Sequence, residues 1–115
     1  KKAGIWDAPS GVTGLDDFGK VVSWLIVEKH VDPVVVLKTA CINPSKFLNL
    51  SDRGEIKVGL KANLTILDLK TSCITTSESL YTKCGWSPYE GVSFPGCVQN
   101  TIVDGKIMSE YDTVF

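Results

Sequence analysis

The chain has 115 residues, of which 43% are hydrophobic and 22% charged, and its formal net charge is -1. This length and composition are those of one globular domain and exclude a disordered segment. This net charge does not indicate binding to nucleic acid or to an anionic membrane surface. The longest apolar runs, around residues 21–27 and 34–37, are too short to span a bilayer. We therefore predict no nucleic-acid partner and no membrane partner.

Near its start the chain has the sequence WDAPSGVTGL over residues 6–15, in which Pro9 and Gly11 predict a turn of the backbone. Thr13 is placed to cap a following helix, with Asp16 three residues later as in a capping box. Backbone N–H groups beside a helix N-terminus suit a carboxylate, whereas many Pro/Gly loops only turn the chain. Such a loop almost at the first residue indicates a piece of something longer. The Lys1-Lys2 start lacks the apolar run of a signal peptide, so we expect a cytoplasmic protein with reduced thiols.

Apolar residues at three- and four-residue intervals then predict a helix over residues 14–29 with one buried face. The opposite face carries Asp17, Lys20 and Glu28, which we expect to meet water. His30 falls at the helix end, where a cation suits the helix dipole, and a ligand role is the less favoured alternative. The predicted apolar face consists of Leu15, Phe18, Val21, Val22, Leu25 and Ile26.

A second helix is predicted from Asp32 as N-cap and Pro33 at the first helical position. Because a residue before proline is biased away from helix, Asn43-Pro44 is expected to end it and to cap a short third helix over residues 45–48.

From residue 52 onward the pattern changes to that of strands and turns. Residues 55–58 alternate between polar and apolar, residues 64–69 indicate a strand, and residues 71–79 fit strand or loop. Residues 86–95 indicate an ordered, irregular loop. The dipeptide Asp104-Gly105 predicts a hairpin between two closing strands. The order predicts helices followed by strands, with a boundary near residues 50–54.

Other chemistry-bearing residues have structural explanations that we prefer. The four cysteines show no C-x-x-C pair, and with one histidine there is no zinc-finger spacing, so mostly buried thiols are expected. Cys84 and Cys97 flank the 86–95 loop and could meet. Trp86 and Tyr89 fit either a binding patch or a clamped loop, that is, a loop packed against the rest of the protein. The residues for which a structural role or a solvated position is preferred are Asp7, Asp16, Asp17, Lys38 and Lys46.

Five stretches in order resemble the C-terminal part of a dihydroorotase, a member of the cyclic amidohydrolases. They are APSGVTGL (8–15), NPSKFLNL (43–50), GEIKVGLKANLTILD (54–68), SPYEG (87–91) and TIVDGK (101–106). The first loop is the part that points to dihydroorotase, because the broader amidohydrolases share the later strands. The resemblance covers nearly the whole chain.

The resemblance implies an α/β fold, a (β/α)8 barrel beside a small β-sandwich built from both chain ends. Residues 1–50 would be the end of the barrel, with the opening loop on the active-site face and the closing helices behind it. Residues 51–115 would be the C-terminal share of the sandwich.

The resemblance also implies zinc-dependent, reversible cyclisation of N-carbamoyl-aspartate to dihydroorotate in pyrimidine biosynthesis. The family's metal ligands and its catalytic aspartate lie upstream, so no metal or catalytic residue is assigned here and the isolated piece is expected to be inactive. The resemblance does imply that the backbone groups of Ser10 and Gly11 bind the substrate, and that Ala8 and Pro9 shape the loop that carries them.

The implied partners are the remainder of the barrel, from the same polypeptide or a partner chain, and further copies in a homo-oligomer. Two alternatives stay open. One is a non-catalytic relative that packs against another subunit, as silent relatives of the family do with aspartate transcarbamoylase. The other is a further cyclic amidohydrolase, an allantoinase or hydantoinase. Asp16, where the family frequently has glutamate, and the segment Lys61-Ala62-Asn63 depart from the family pattern.

Overall fold

Helices precede strands along the chain, in the order the sequence predicts. The structure is a computed structural model that describes residues 4, 6, 11–110 and 113–114, the last two by their backbone. The helical elements are α1 (Phe18–Val27), α2 (Pro33–Leu37), a π-helical turn (Lys38–Ile42), α3 (Asn43–Phe47) and a 3-10 turn (Ser77–Ser79). The strands are β1 (Leu64–Asp68), β2 (Cys73–Ile74), β3 (Ser93–Phe94), β4 (Cys97–Val103), β5 (Lys106–Glu110) and β6 (Thr113–Val114).

The strands form two antiparallel sheets. The larger sheet has the order β1-β4-β5-β6, and the smaller pairs β2 with β3. The predicted hairpin is confirmed, because β4 and β5 are joined by Asp104 at φ 48° and Gly105 at φ 79°. Positive φ at both central residues is the geometry that matches the right-handed twist of the flanking strands.

Helix α1 packs on β4 through small residues. A methyl group at Gly19 would overlap Cγ2 of Val98, and one at Gly96 would lie 2.7 Å from Cβ of Ser23. Ser23 is completely buried, and its hydroxyl donates to the Gly19 carbonyl oxygen at 2.9 Å. The helix therefore approaches the sheet at a distance that larger residues would prevent.

Three expectations about α1 are wrong in whole or in part. The helix begins at Phe18, not at residue 14, and Thr13 does not cap it, because the Thr13 hydroxyl donates to the carbonyl oxygen of Trp86 at 2.8 Å. The face expected to meet water does so at Glu28, which is exposed, but not at its start, where Asp17 is only 1% exposed and Lys20 is half-buried. A loop from the later part of the chain covers the start of this face, and helical periodicity gives no sign of such a contact.

The second and third helices form one continuous run instead of two helices separated at Pro44. The Asp32 cap is confirmed, since its carboxylate accepts a hydrogen bond from the backbone N–H of Val34 at 2.8 Å. Asn43, however, is helical at φ -65° and ψ -43°, and its N–H reaches back to the Lys38 carbonyl. This π-helical turn widens the helix just before Pro44, which relieves the clash that a proline ring makes in a regular α-helix. The third helix is therefore Asn43–Phe47, not residues 45–48.

Residues 55–58, whose alternation suggests a strand, form none. Ile56 and Val58 are almost fully exposed. Alternation stabilises a strand only where one face packs on a neighbour, and within the described residues these two side chains find none.

A large apolar cleft lies between α1, the helical run and the larger sheet. Its volume is about 810 Å³. The predicted apolar face of α1 lines it, with Phe18, Val22 and Ile26 among the lining residues, so this face is open to the cleft and not buried as expected. Among the described hydrophobic residues only Phe94 and Cys97 are buried.

Candidate functional site

A set of polar contacts joins the start of α1 to the loop between β2 and β3. We call this set the polar interlock. Its members on the α1 side are Thr13, Asp16, Asp17 and Lys20, and on the loop side Thr75, Thr82, Trp86 and Ser87.

Asp17 is the centre of the polar interlock. Its Oδ1 accepts from the Thr75 hydroxyl at 2.7 Å, and its Oδ2 accepts from the Ser87 hydroxyl at 2.5 Å. Lys20 Nζ lies 3.2 Å from the same Oδ1 and also donates to Thr75 Oγ1 at 3.0 Å. Every buried polar side-chain atom among the described residues has a hydrogen-bond partner. The buried carboxylate is therefore both paired and fully hydrogen-bonded, as a buried charge must be.

These contacts keep Asp17 ionised. Burial alone would raise the pKa of its carboxyl, but the hydrogen bonds from Ser87, Thr75 and Lys20 outweigh burial and lower the pKa below its ordinary value. Hydrogen bonds to the charged form favour it, and Lys20 adds an opposite charge. Asp17 thus acts as a fixed acceptor and is poorly suited to proton transfer near neutral pH.

Two further contacts hold the same loop to the residues before α1. The Thr13 hydroxyl donates to the Trp86 carbonyl, and the backbone N–H of Thr82 donates to the Asp16 carboxylate at 3.0 Å. The ring of Tyr89 packs edge-on against Phe94 with centroids 5.7 Å apart. Of the two interpretations of Trp86 and Tyr89, the structure favours the clamped loop.

The predicted substrate-binding residues are described only in part. Ala8, Pro9 and Ser10, and Asp7 before them, lie outside the described residues. Gly11 is described. It is exposed, and no heavy atom lies within 4 Å of the position a Cβ would take there. It stands two residues before Thr13, so the predicted loop leads directly into the polar interlock.

The cysteines differ from expectation in their burial. Only Cys97 is buried, whereas Cys41 and Cys84 are exposed. Cys84 and Cys97, which could have met, are both free thiols. The Thr82 hydroxyl lies 3.2 Å from the Cys84 sulfur and lowers the pKa of this thiol below its ordinary value.

The remaining sequence candidates occupy surface positions. Lys38 and Lys46 are exposed, as predicted, and the exposed His30 adopts φ 53° beyond the end of α1. Within residues 11–110 no three His, Cys, Asp or Glu side chains are grouped so that they could hold a metal ion. No helix in the same part of the chain is long and apolar enough to cross a membrane.

The polar interlock could have been suspected from the sequence, but it was not. Asp17 and Lys20 are three residues apart on one helix, and residues 71–79 are rich in serine and threonine. Those hydroxyls are donors that a buried carboxylate needs. The missing information was which strand connection returns to the start of α1.

A helical run followed by an antiparallel sheet, with a loop held against the first helix, gives the chain mixed α/β content. The profile of the Amidohydrolase family matches residues 10–108, and the chain belongs to that family. The resemblance to cyclic amidohydrolases that the sequence motifs indicate is thereby confirmed.

Individual relatives are similar over most of the chain. A dihydroorotase from Methanothermobacter thermautotrophicus is 31% identical over 106 residues, which are 92% of this chain and 25% of that protein. One from Pyrococcus furiosus is 40% identical over 73 residues, which are 64% of this chain and 17% of that protein. The structure of the L-hydantoinase (dihydropyrimidinase) from Arthrobacter aurescens superposes with a TM-score of 0.88 at 25% identity, over 96% of this chain and 25% of that one. The matched region thus spans a quarter or less of the length of these relatives.

Proposed function

We propose that this chain is the C-terminal portion of a dihydroorotase, which interconverts N-carbamoyl-aspartate and dihydroorotate in pyrimidine biosynthesis. The observation that carries the proposal is the similarity to dihydroorotases, which extends over 92% of the chain in one relative. The opening loop, on which the resemblance to this particular activity rests, directly precedes the polar interlock.

In this proposal residues 1–50 end the (β/α)8 barrel and residues 51–115 form the C-terminal share of the β-sandwich. The open apolar cleft supports a larger assembly, because only Phe94 and Cys97 are buried among the described hydrophobic residues, which is a very small core for a protein that stands alone. The remainder of the barrel would cover it. A cytoplasmic location, a homo-oligomeric state and an association with aspartate transcarbamoylase belong to the same proposal.

The described residues do not fit the zinc site that the family implies, since no three His, Cys, Asp or Glu side chains are grouped among them. We therefore assign the metal to other parts of the polypeptide and derive no step through it. The contribution proposed for this chain is substrate binding by the backbone of Ser10 and Gly11, with Ala8 and Pro9 shaping the loop. Gly11 supports this role, because its exposed backbone has open space on its side-chain face.

A hydantoinase activity is the second candidate. The observation that favours it is the close superposition on the L-hydantoinase, with a TM-score of 0.88. Both candidates open or close a cyclic amide, so they differ in substrate and not in reaction class.

The test is to purify the full-length polypeptide and to measure its zinc content and its hydrolysis of dihydroorotate and of hydantoin. We expect about two zinc ions per active site, as dinuclear metal catalysis requires, with faster turnover of dihydroorotate. Preference for hydantoin would replace the first candidate by the second. Absence of both zinc and turnover would overturn both in favour of a non-catalytic assembly module.

A further inference from the structure

We propose that Asp17 is a positioning residue for Gly11, the described member of the proposed substrate-binding residues. It holds residues 82–89 against residues 11–16 and thereby fixes the backbone of Gly11. This inference rests on the proposed function, since it assigns Gly11 a contact with the cyclic amide or its ring-opened form.

The loop formed by residues 82–89 is held mainly by polar contacts. Tyr81, Lys83, Cys84, Gly85 and Pro88 are exposed, and within residues 81–88 only Ser87 is buried. Apart from Tyr89, whose ring packs edge-on against the buried Phe94, the loop therefore has little apolar burial to keep it in place. Its hydrogen bonds to the α1 side decide its position.

Asp17 is the residue on whose hydrogen bonds the other contacts of the polar interlock depend. Ser87 is buried and its hydroxyl donates to Oδ2 of Asp17, while the same hydroxyl oxygen accepts from the backbone N–H of Tyr89 at 3.0 Å. The Ser87 contact therefore fixes the backbone of the loop as well as one side chain. On its other oxygen, Asp17 is fixed by Thr75 and Lys20.

The loop in turn restrains the residues that lead to Gly11. Thr13 donates to the Trp86 carbonyl, one residue before Ser87, and Asp16 accepts from Thr82. Gly11 and Val12 are exposed. The nearest hydrogen-bonded anchor to Gly11 in the described chain is thus Thr13, which depends on a loop that Asp17 holds.

The experiment uses the zinc-loaded, full-length polypeptide with four variants. Asp17→Asn keeps the shape of the side chain and removes its charge, and Ser87→Ala removes the loop hydroxyl. Ser87→Thr restores a hydroxyl at that position. Asp32→Asn is the matched acid-to-amide control, since Asp32 is an exposed N-cap and asparagine caps a helix equally well.

Steady-state kinetics with dihydroorotate should separate positioning from simple loss of folded protein. Asp17→Asn and Ser87→Ala should raise KM on the order of tenfold with unchanged zinc content and little change in kcat, because the displaced groups bind substrate. Ser87→Thr should return towards the wild-type KM. Partial unfolding lowers the amount of active enzyme and hence the apparent kcat, but it does not raise KM. A KM for Asp17→Asn and Ser87→Ala equal to that of Asp32→Asn would overturn the inference.

Hydrogen exchange of the same samples separates this inference from the proposed function. The amides of Thr82 and Tyr89 should exchange faster in Asp17→Asn and Ser87→Ala than in Asp32→Asn. If the wild type hydrolyses hydantoin in place of dihydroorotate, the KM comparison is made with hydantoin. If it hydrolyses neither, the proposed function fails, and unchanged exchange in residues 11–16 and 82–89 would then overturn the positioning by Asp17 as well.

Discussion

Gly19 of α1 lies directly against Val98 of β4, with no room between them for a methyl group. This contact sets the distance between the helix and the sheet, and it places the start of α1 where the loop after β2 can reach it. We expect Gly19→Ala to lower stability by about 1–3 kcal/mol, because overpacking exceeds the gain in helix propensity. Urea unfolding of the polypeptide measures the change.

The double variant Gly19→Ala/Val98→Ala should recover part of this loss, since the smaller side chain at residue 98 gives the methyl group space. Gly14→Ala is the control, because nothing lies within 4 Å of its added Cβ. If Gly19→Ala were as stable as Gly14→Ala, the close packing of α1 on β4 would be contradicted.

Asp17 gives the fold a specific dependence on pH. Its pKa is lowered in the folded state from an ordinary value of 3.8, so its stabilising contribution is fully present above that value and is lost as pH falls towards the folded pKa. We expect Asp17→Asn to lower stability by about 1–3 kcal/mol at neutral pH, because a buried charged acceptor is removed. The measurement is the urea midpoint of both proteins across the acid range.

The difference between the two midpoints should shrink below pH 3.8, because the unfolded wild type takes up a proton there while the folded carboxylate is still ionised. A difference that stays constant, or that grows in acid, would show that the hydrogen bonds to Asp17 do not depend on its charge. The exposed Asp32 serves again as the reference position through Asp32→Asn.

Gly11 allows a direct test of substrate contact. An alanine meets no neighbouring atom there, and the backbone is outside the left-handed region, so Gly11→Ala should fold normally. If the substrate lies against this backbone, the added methyl group should raise KM by about tenfold. Steady-state kinetics of Gly11→Ala and Gly14→Ala provide the comparison, and equal KM values would remove Gly11 from the site.

The Cys84 thiol should react faster than an ordinary exposed thiol. The neighbouring Thr82 hydroxyl lowers its pKa, which raises the thiolate fraction at neutral pH. Thr82→Val should therefore slow alkylation of Cys84 by iodoacetamide, followed by peptide mass spectrometry. The exposed Cys41 of the same molecule is the internal control, and its rate should not change. An equal slowing at both positions would contradict the role of Thr82.

Local features of the fold were accessible from the sequence because each depends on a few adjacent residues. Asp104-Gly105 determines the hairpin, since these residue types accept positive φ. Asp32 determines the start of α2 for a similar reason, because its carboxylate reaches a backbone N–H two residues away. The ordered motifs were also sufficient to indicate the family.

Pro44 shows where a local rule was insufficient. The bias of the residue before proline is modest, and a π-helical turn over Lys38–Ile42 removed the clash that the rule is based on. Similarly, the alternation at residues 55–58 did not produce a strand, since no neighbouring strand in the described chain pairs with it.

The sequence by itself determined the hairpin, the cap of the second helix and the family. Only the tertiary structure decided the environment of Asp17, whose two hydroxyl partners stand 58 and 70 residues further along the chain. Periodicity assigns a residue to a face of a helix, but not to water or to protein, because that depends on which distant segment packs against the face. The same carboxylate would have been a solvated surface charge without the loop that holds Ser87.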